Sequence, residues 1–316
     1  MKNIFLFGEC MIELMTASKE AALNTLKQSF AGDVFNTAVY LKRTFPQVKV
    51  RLVTAVGKDN FSLDMIKYFE SENIDTDLVF QSDTKIPGLY SIQLDDEGER
   101  SFTYWRENSA ARTVMDFIDE EATEKLTSGD LFFISGISLA VIQPEARASF
   151  WQKLIQLKTA GVKIVFDPNY RARMWKDKAE TIQAYEQAFT LADIALPGVE
   201  DLGSLYGITT VEGVIEFLQP FSIEELVIKN GPASVITILD GEKQVHQVTP
   251  VETVVDTTSA GDSFNGVYLG ARLDNETIAE AVDKASKAAG FVIQHKGAIV
   301  EPNAYERFLK EKIFSY

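Results

Sequence analysis

Hydrophobic positions in this chain fall into short, nearly unbroken runs that alternate with segments of helical period. Residues 5–7 (F-L-F), 50–56 (V-R-L-V-T-A-V), 130–138 (D-L-F-F-I-S-G-I-S), 162–166 (V-K-I-V-F) and 225–230 (E-L-V-I-K-N) read as strands. Their apolar character on both pleat faces is what a parallel sheet buried between helices requires. Between them, Phe35, Val39 and Leu41 keep helical spacing after Gly32-Asp33, and a second helix runs through Met65, Ile66 and Phe69 to close at Asn73. Further helices are predicted over about 143–158 and 179–192, with another after Pro197 carrying Glu200. A different texture interrupts this order. Residues 11–15 alternate Met11, Glu13 and Met15 against Ile12 and Leu14, and from Pro87 alternating residues flank the turn D-D-E-G-E at 95–99, a hairpin signal. These ribbons predict a small, exposed β-sheet standing off the main body. A second hairpin is predicted about Asp240-Gly241.

Composition narrows the class. With 316 residues, 46% hydrophobic and 24% charged, and without repeats or a long linker, the chain is expected to form one α/β domain over 1–316. The small sheet would be contributed by about 10–16 and 86–108. The net charge of −15 opposes nucleic acid and anionic membrane surfaces. The apolar run before Gly8 and Glu9 is too short for a signal-peptide core. One cysteine, Cys10, leaves no internal disulfide or cysteine-based zinc site and fits a reducing cytoplasm. His246 and His295 lack paired ligand spacing and read as structural.

The chemistry concentrates at 254–269, V-V-D-T-T-S-A-G-D-S-F-N-G-V-Y-L. A β-branched run ends at Asp256 and an apolar helical segment resumes at Phe264, predicting a strand-to-helix turn. Ser259, Ala260 and Gly261 carry little side chain, so the N–H groups opening the helix are bare toward an anion. Asp262, one residue on, could take a proton from a hydroxyl beside that anion. Together they suggest phosphoryl transfer, with an ordinary capped loop as the plain alternative. No Gly-Lys-Ser or Gly-Lys-Thr follows, so the turn is not a Walker loop.

The order small residue, Ala-Gly-Asp, Ser, Phe resembles the signature of ribokinase-type (PfkB) sugar kinases. That resemblance runs from Gly8 to Pro302. It implies a three-layer α/β/α domain with a central, mostly parallel sheet and a β-sheet lid, and it implies ATP and Mg2+ as cofactors. It also allows a monovalent cation near Asp256. Within it, Asp262 would be the general base, and the N–H groups of Ala260, Gly261 and Asp262 the anion hole. Gly32, Asp33 and Asn36 resemble the family's Gly-Gly-Asp-x-x-Asn sugar element, with Ala31 in place of the first glycine.

Pro87-Gly88-Leu89-Tyr90, Tyr104-Trp105-Arg106, Ser109-Ala110-Ala111-Arg112 and the F-D-x-N-x-R order ending at Arg171 are similar to the family branch acting on 2-keto-3-deoxygluconate. There Tyr90, Tyr104, Arg106, Asn169 and Arg171 would hold a sugar acid, since a guanidinium fork suits a carboxylate. The arginine at 171 would meet either that carboxylate or the phosphates. Lys229, Gly231, Ser259, Ser286 and Ala289 would line the nucleotide side. Glu200 would organise hydrated magnesium, although Pro197 replaces the family's usual Asn and Asp201 lies alongside. Rival readings are a fructokinase or ribokinase of the same family and, from the departures at Ala31 and Pro197, a non-catalytic sugar-binding protein. Apolar lid residues suggest a homodimer or larger assembly through the lid.

Overall fold

The computed structural model describes residues 1–16, 25–94 and 100–314. The predicted turn at 95–99 lies outside the described residues, as do positions 17–24.

Thirteen strands are described: β1 (Asn3–Phe7), β2 (Met11–Thr16), β3 (Leu26–Ala31), β4 (Lys49–Val56), β5 (Asp75–Gln81), β6 (Leu89–Leu94), β7 (Arg100–Trp105), β8 (Leu131–Ser135), β9 (Lys163–Asp167), β10 (Ile194–Ala195), β11 (Glu225–Asn230), β12 (Ser234–Leu239) and β13 (Glu242–Gln247). Nine of them form one sheet in the order β13-β12-β11-β10-β9-β8-β1-β4-β5. From β11 to β5 every pairing is parallel, and β12 and β13 are added antiparallel at one edge. The two-residue pleat sends alternate side chains to opposite faces. Ile4 and Leu6 enter the core beneath the helices Asp33–Thr44, Ala260–Leu273 and Ile278–Val292, while Phe5 and Phe7 enter the core beneath Arg147–Thr159 and Lys178–Leu191. Helices therefore cover both faces of the sheet, giving the expected three-layer α/β/α architecture.

The remaining strands form a separate sheet, β3-β2-β6-β7. Two features of it differ from the expectation. Strand β3, which no hydrophobic alternation announced, pairs antiparallel with β2 through the full length of both. And β2 is not an exposed ribbon: Met11, Ile12 and Glu13 are buried, because β3 and β6 flank them and Ala298 packs against Met11.

A third difference lies before Asp256, where the β-branched run is irregular and not a strand. Val254 and Val255 are exposed, and the N–H groups of Val255 and Asp256 both donate to the carbonyl of Ile293. The hairpin at Asp240-Gly241 is present, both residues having positive φ as a tight primed turn requires.

Candidate active site

Strands β1, β8, β9, β10 and β11 run parallel, so their carboxyl ends share one edge of the sheet, where open α/β folds place ligands. Glu9 follows β1, Ser135 closes β8, Asp167 closes β9 and Lys229 lies near the end of β11. Two helices bring the predicted residues to this edge. The first, Asp33–Thr44, has acidic Asp33 in its opening turn and Lys42 and Arg43 in its last, matching the helix dipole. Its N-cap, Gly32, has an extended backbone, and a Cβ there would lie 2.2 Å from the carbonyl oxygen of Glu9. Close approach, and not a left-handed conformation, is what requires glycine.

The second helix, Ala260–Leu273, is capped by Ser259, whose φ of 65° reverses the chain into the helix. Its opening turn carries Gly261, around which a Cβ would meet only the Lys229 ammonium, at 4.0 Å. The turn is open, with one cation beside it. Gly261 and Asp262 stand where helix geometry leaves N–H groups without an intrahelical acceptor. The N–H of Ala260 makes only a long bond of 3.3 Å to the Thr257 carbonyl.

The two helices touch at Gly266, where a Cβ would lie 2.4 Å from the carbonyl oxygen of Thr37. That crossing brings their opening turns together. Asn36 Nδ2 donates to Asp262 Oδ2 at 2.9 Å, and Asn169 Nδ2 donates to Asp33 Oδ2 at 3.1 Å. Burial, aided by the Asp33 carboxylate, pushes the Asp262 carboxyl up to about 7, against the stabilising Asn36 bond. Burial also raises Asp33, opposed by a hydrogen bond from Ser135. Two carboxylates in one poorly solvated space cannot both ionise easily.

Behind the open turn lies a polar cluster in which Asp167 and Asn265 are buried and Lys229 is partly buried. Asp167 accepts from Lys229 Nζ at 3.1 Å and from Asn265 Nδ2 at 2.8 Å, while Asn265 Oδ1 accepts from Lys229 Nζ at 3.1 Å. Each member finds partners, which fixes the ammonium in place. Asp201 sits nearby, accepting from the N–H of Tyr170 at 3.1 Å with Arg171 at 3.8 Å. Its carboxyl is pushed up to about 6 by burial and by Asp167. Glu200, in the same turn, is exposed to solvent, so Asp201 is the carboxylate turned toward the cluster.

Toward the small sheet, Tyr90 donates its hydroxyl to buried Glu13, which also accepts from Ser29 Oγ at 2.7 Å. Tyr104 stacks on Tyr90, ring centroids 5.5 Å apart. Arg106 donates to Glu9, itself only 2% exposed, and turns its other terminal nitrogen to the Met174 sulfur at 3.6 Å.

The structure thus brings together Gly32, Asp33, Asn36, Asn169, Lys229, Ser259, Ala260, Gly261 and Asp262 at the sheet edge, with Tyr90, Tyr104 and Arg106 on the small sheet's side. Gly231 turns between β11 and β12 at φ 55°. Ser286 and Ala289 are half-buried on Ile278–Val292, whose neighbours Ala285 and Ala288 are core residues. Asp256 spends its carboxylate on the N–H groups of Thr258 and Gly297. His246 and His295 hydrogen-bond to Thr237 and to the Phe291 carbonyl.

Sequence reasoning passed over Glu9, Asp167, Glu13 and Asn265 as site residues. Asn265 alone left a clear signal, an amide inside the apolar run F-N-G-V-Y-L. Buried amides need partners.

Known proteins resemble this chain in sequence and in fold. A model described as "pfkB family carbohydrate kinase" matches residues 1–304. The 2-dehydro-3-deoxygluconokinase of Dickeya dadantii (strain 3937) is 40% identical over 308 residues, covering 95% of this chain and 97% of its own. That of Escherichia coli (strain K12) is 38% identical over 309 residues, covering 96% and 98%. Among solved structures, a fructokinase from Xylella fastidiosa with bound ATP superposes with a TM-score of 0.82 over 98% of each chain at 20% identity, a likeness of fold. An open helix-opening turn followed by a carboxylate, a second helix delivering Asp33 and Asn36 opposite it, and a family match along almost the whole length lead to one conclusion: the chain belongs to the pfkB family of carbohydrate kinases.

Proposed function

We infer that the protein transfers the γ-phosphoryl group of ATP to the primary hydroxyl of 2-keto-3-deoxygluconate, giving the 6-phosphate and ADP. The observation that carries the phosphoryl-transfer step is the position of Asp262, whose carboxylate faces Asn36 and Asp33 while its own N–H belongs to the open turn. The substrate rests on the relatives' activity and on arginines at the sugar side of the site.

In this reading Asp33, Asn36 and Asn169 take sugar hydroxyls, and Gly32 lets the backbone approach them. Asp262 removes the proton of the attacking hydroxyl, whose oxygen forms a bond to the γ-phosphorus as the bond to the bridging oxygen of ADP breaks. A carboxyl near 7 suits a base working at neutral pH. The N–H groups of Gly261 and Asp262, with that of Ala260 freed from its long bond to Thr257, hold the charge on the transferred group. Donors of this kind are worth about 3–4 kcal/mol each. Lys229, fixed by Asp167 and Asn265, adds positive charge beside the same turn. Arg171 belongs to the phosphate side, because it faces Asp201.

No group of three or more potential ligands marks a dedicated metal cage among the described residues. Burial and the neighbouring Asp167 nonetheless push the Asp201 carboxyl up to about 6, and the pair is a donor set that suits a hydrated divalent cation. Asp201 and Asp167, with Glu200 at the rim, would hold Mg2+ through water, and the ion would supply positive charge to the phosphates. A monovalent cation beside Asp256 and a dimer through the small sheet, whose Trp105 and Leu26 are exposed, complete the proposal. The test is product analysis: phosphorus and carbon NMR of the reaction with ATP, Mg2+ and 2-keto-3-deoxygluconate should show one phosphate ester, at C6. An ester elsewhere, or none, contradicts it.

A further inference from the structure

Arg106 alone makes a poor receptor for a carboxylate. It is already paired with Glu9, which is buried and whose second oxygen has no hydrogen-bond partner among the described residues. An anion reaching Arg106 therefore meets a nearly neutral pair with an uncompensated oxygen behind it. Coulomb attraction to such a pair is weak, so selection of an acid sugar needs a second cation.

Arg171 does not fill that place, since its guanidinium lies 3.8 Å from Asp201 and is half-exposed. Arg173 does. Residues Ala172–Met174 form a single 3-10 turn just beyond β9, and this turn meets the end of β7 at two points. Met174 presents its sulfur to Arg106, and the Arg173 guanidinium lies over the Tyr104 ring, 4.0 Å from the centroid, while donating to the Tyr104 hydroxyl. Tyr104 in turn stacks on Tyr90, whose hydroxyl is held by Glu13. Among the described residues, no carboxylate pairs with Arg173. A cation parked on a neutral phenol is available, because a carboxylate adds the attraction of opposite charges and a bidentate fork, which the phenol cannot offer.

We propose that Arg173 is the second guanidinium of the carboxylate site and sets the preference for an acid sugar, acting with Arg106. The substrate carboxylate is held between the Arg106 nitrogen that otherwise turns to the Met174 sulfur, the Tyr104 hydroxyl and Arg173, and exchanges for the hydroxyl as Arg173's acceptor. This rests on the sugar-acid reading above.

The test compares KM and kcat for 2-keto-3-deoxygluconate and for 3-deoxyfructose, the same sugar with an alcohol in place of the carboxylate. Wild type, Arg173→Ala, Arg173→Lys and Arg171→Ala are measured. Arg173→Ala should raise KM for the acid tenfold or more while kcat, KM for ATP and KM for 3-deoxyfructose stay within about twofold. Arg173→Lys should recover part of the loss, and Arg171→Ala should act on KM for ATP. Equal increases for acid and alcohol would reduce Arg173 to a prop for Tyr104, and an unchanged KM for the acid would remove it altogether; either overturns the proposal and leaves the kinase reading standing. A wild type without preference for the acid would overturn both.

Discussion

Asn36 and Asp262 are separated by 226 positions in sequence and joined by a hydrogen bond of 2.9 Å. Each sits in the opening turn of its own helix, and the two helices cross at Gly266, close enough that its missing side chain is what admits the Thr37 carbonyl. The opening turns of the two helices are thereby held together. The amide donates to the ionised form of Asp262, and the neighbouring Asp33 and the burial of the site work against that form. The Asp262 carboxyl is set by this opposition.

Replacing Asp262 by Asn keeps the shape and removes the base. Turnover should fall by about two or more orders of magnitude with KM for the sugar little changed, as for a group acting only in the transition state. Steady-state kinetics decide it; unchanged turnover would take Asp262 out of the mechanism.

The rate should depend on pH through the same carboxyl. Burial pushes the Asp262 carboxyl up to about 7; if it is the proposed base it must be ionised to accept a proton, so kcat/KM should decline as pH falls through about 7. Asp33→Asn removes a like charge and should move this limb down by about one pH unit, whereas Asn36→Ala removes a donor to the carboxylate and should move it up. A pH–rate profile of the three proteins checks the direction. Limbs that coincide would mean that another group titrates.

The same carboxyl costs stability. Below pH 4 it is protonated in both folded and unfolded chains and contributes no difference; between its ordinary value and about 7 only the folded state keeps the proton; above 7 it is ionised in both, and the full penalty is in place. Asp262→Asn should therefore raise the unfolding free energy at pH 8 by about 1–2 kcal/mol, with the gain vanishing below pH 4. Thermal melts at the two pH values measure it.

Gly266→Ala tests the crossing. The added Cβ would sit 2.4 Å from the Thr37 carbonyl oxygen and 3.0 Å from the Leu41 nitrogen, both backbone atoms that cannot swing aside. A loss of about 3 kcal/mol is expected. At Gly290 the nearest atom to an added Cβ is a Val251 methyl at 3.2 Å, so Gly290→Ala should be neutral or gain up to about 1 kcal/mol of helix propensity. Equal melting temperatures for the two variants would refute the tight crossing.

Most of the sheet was legible because its strands are buried on both faces and read as apolar runs, β1 and β9 most plainly. Strand β3 was not, because L-K-Q-S-F-A is largely exposed and is held in place by its pairing with β2 rather than by its own pattern. The run before Asp256 failed in the opposite way. Val254 and Val255 have strand-like side chains, but the N–H groups of Val255 and Asp256 donate to the carbonyl of Ile293, and among the described residues no strand pairs with this run. At the site, residues within a few positions of a glycine, such as Asp33, Asn36 and Asp262, stood out. Glu9, Asp167 and Asn265 gain their meaning only from partners 97, 62 and 98 positions away, and local patterning cannot record such separations.

The measurement that bears most directly on the central claim is coupled release of ADP with ATP and Mg2+, comparing 2-keto-3-deoxygluconate, fructose and ribose at equal concentrations. The account predicts a strong preference, tenfold or more in kcat/KM, for the acid. Equal or greater turnover of a neutral sugar would contradict it.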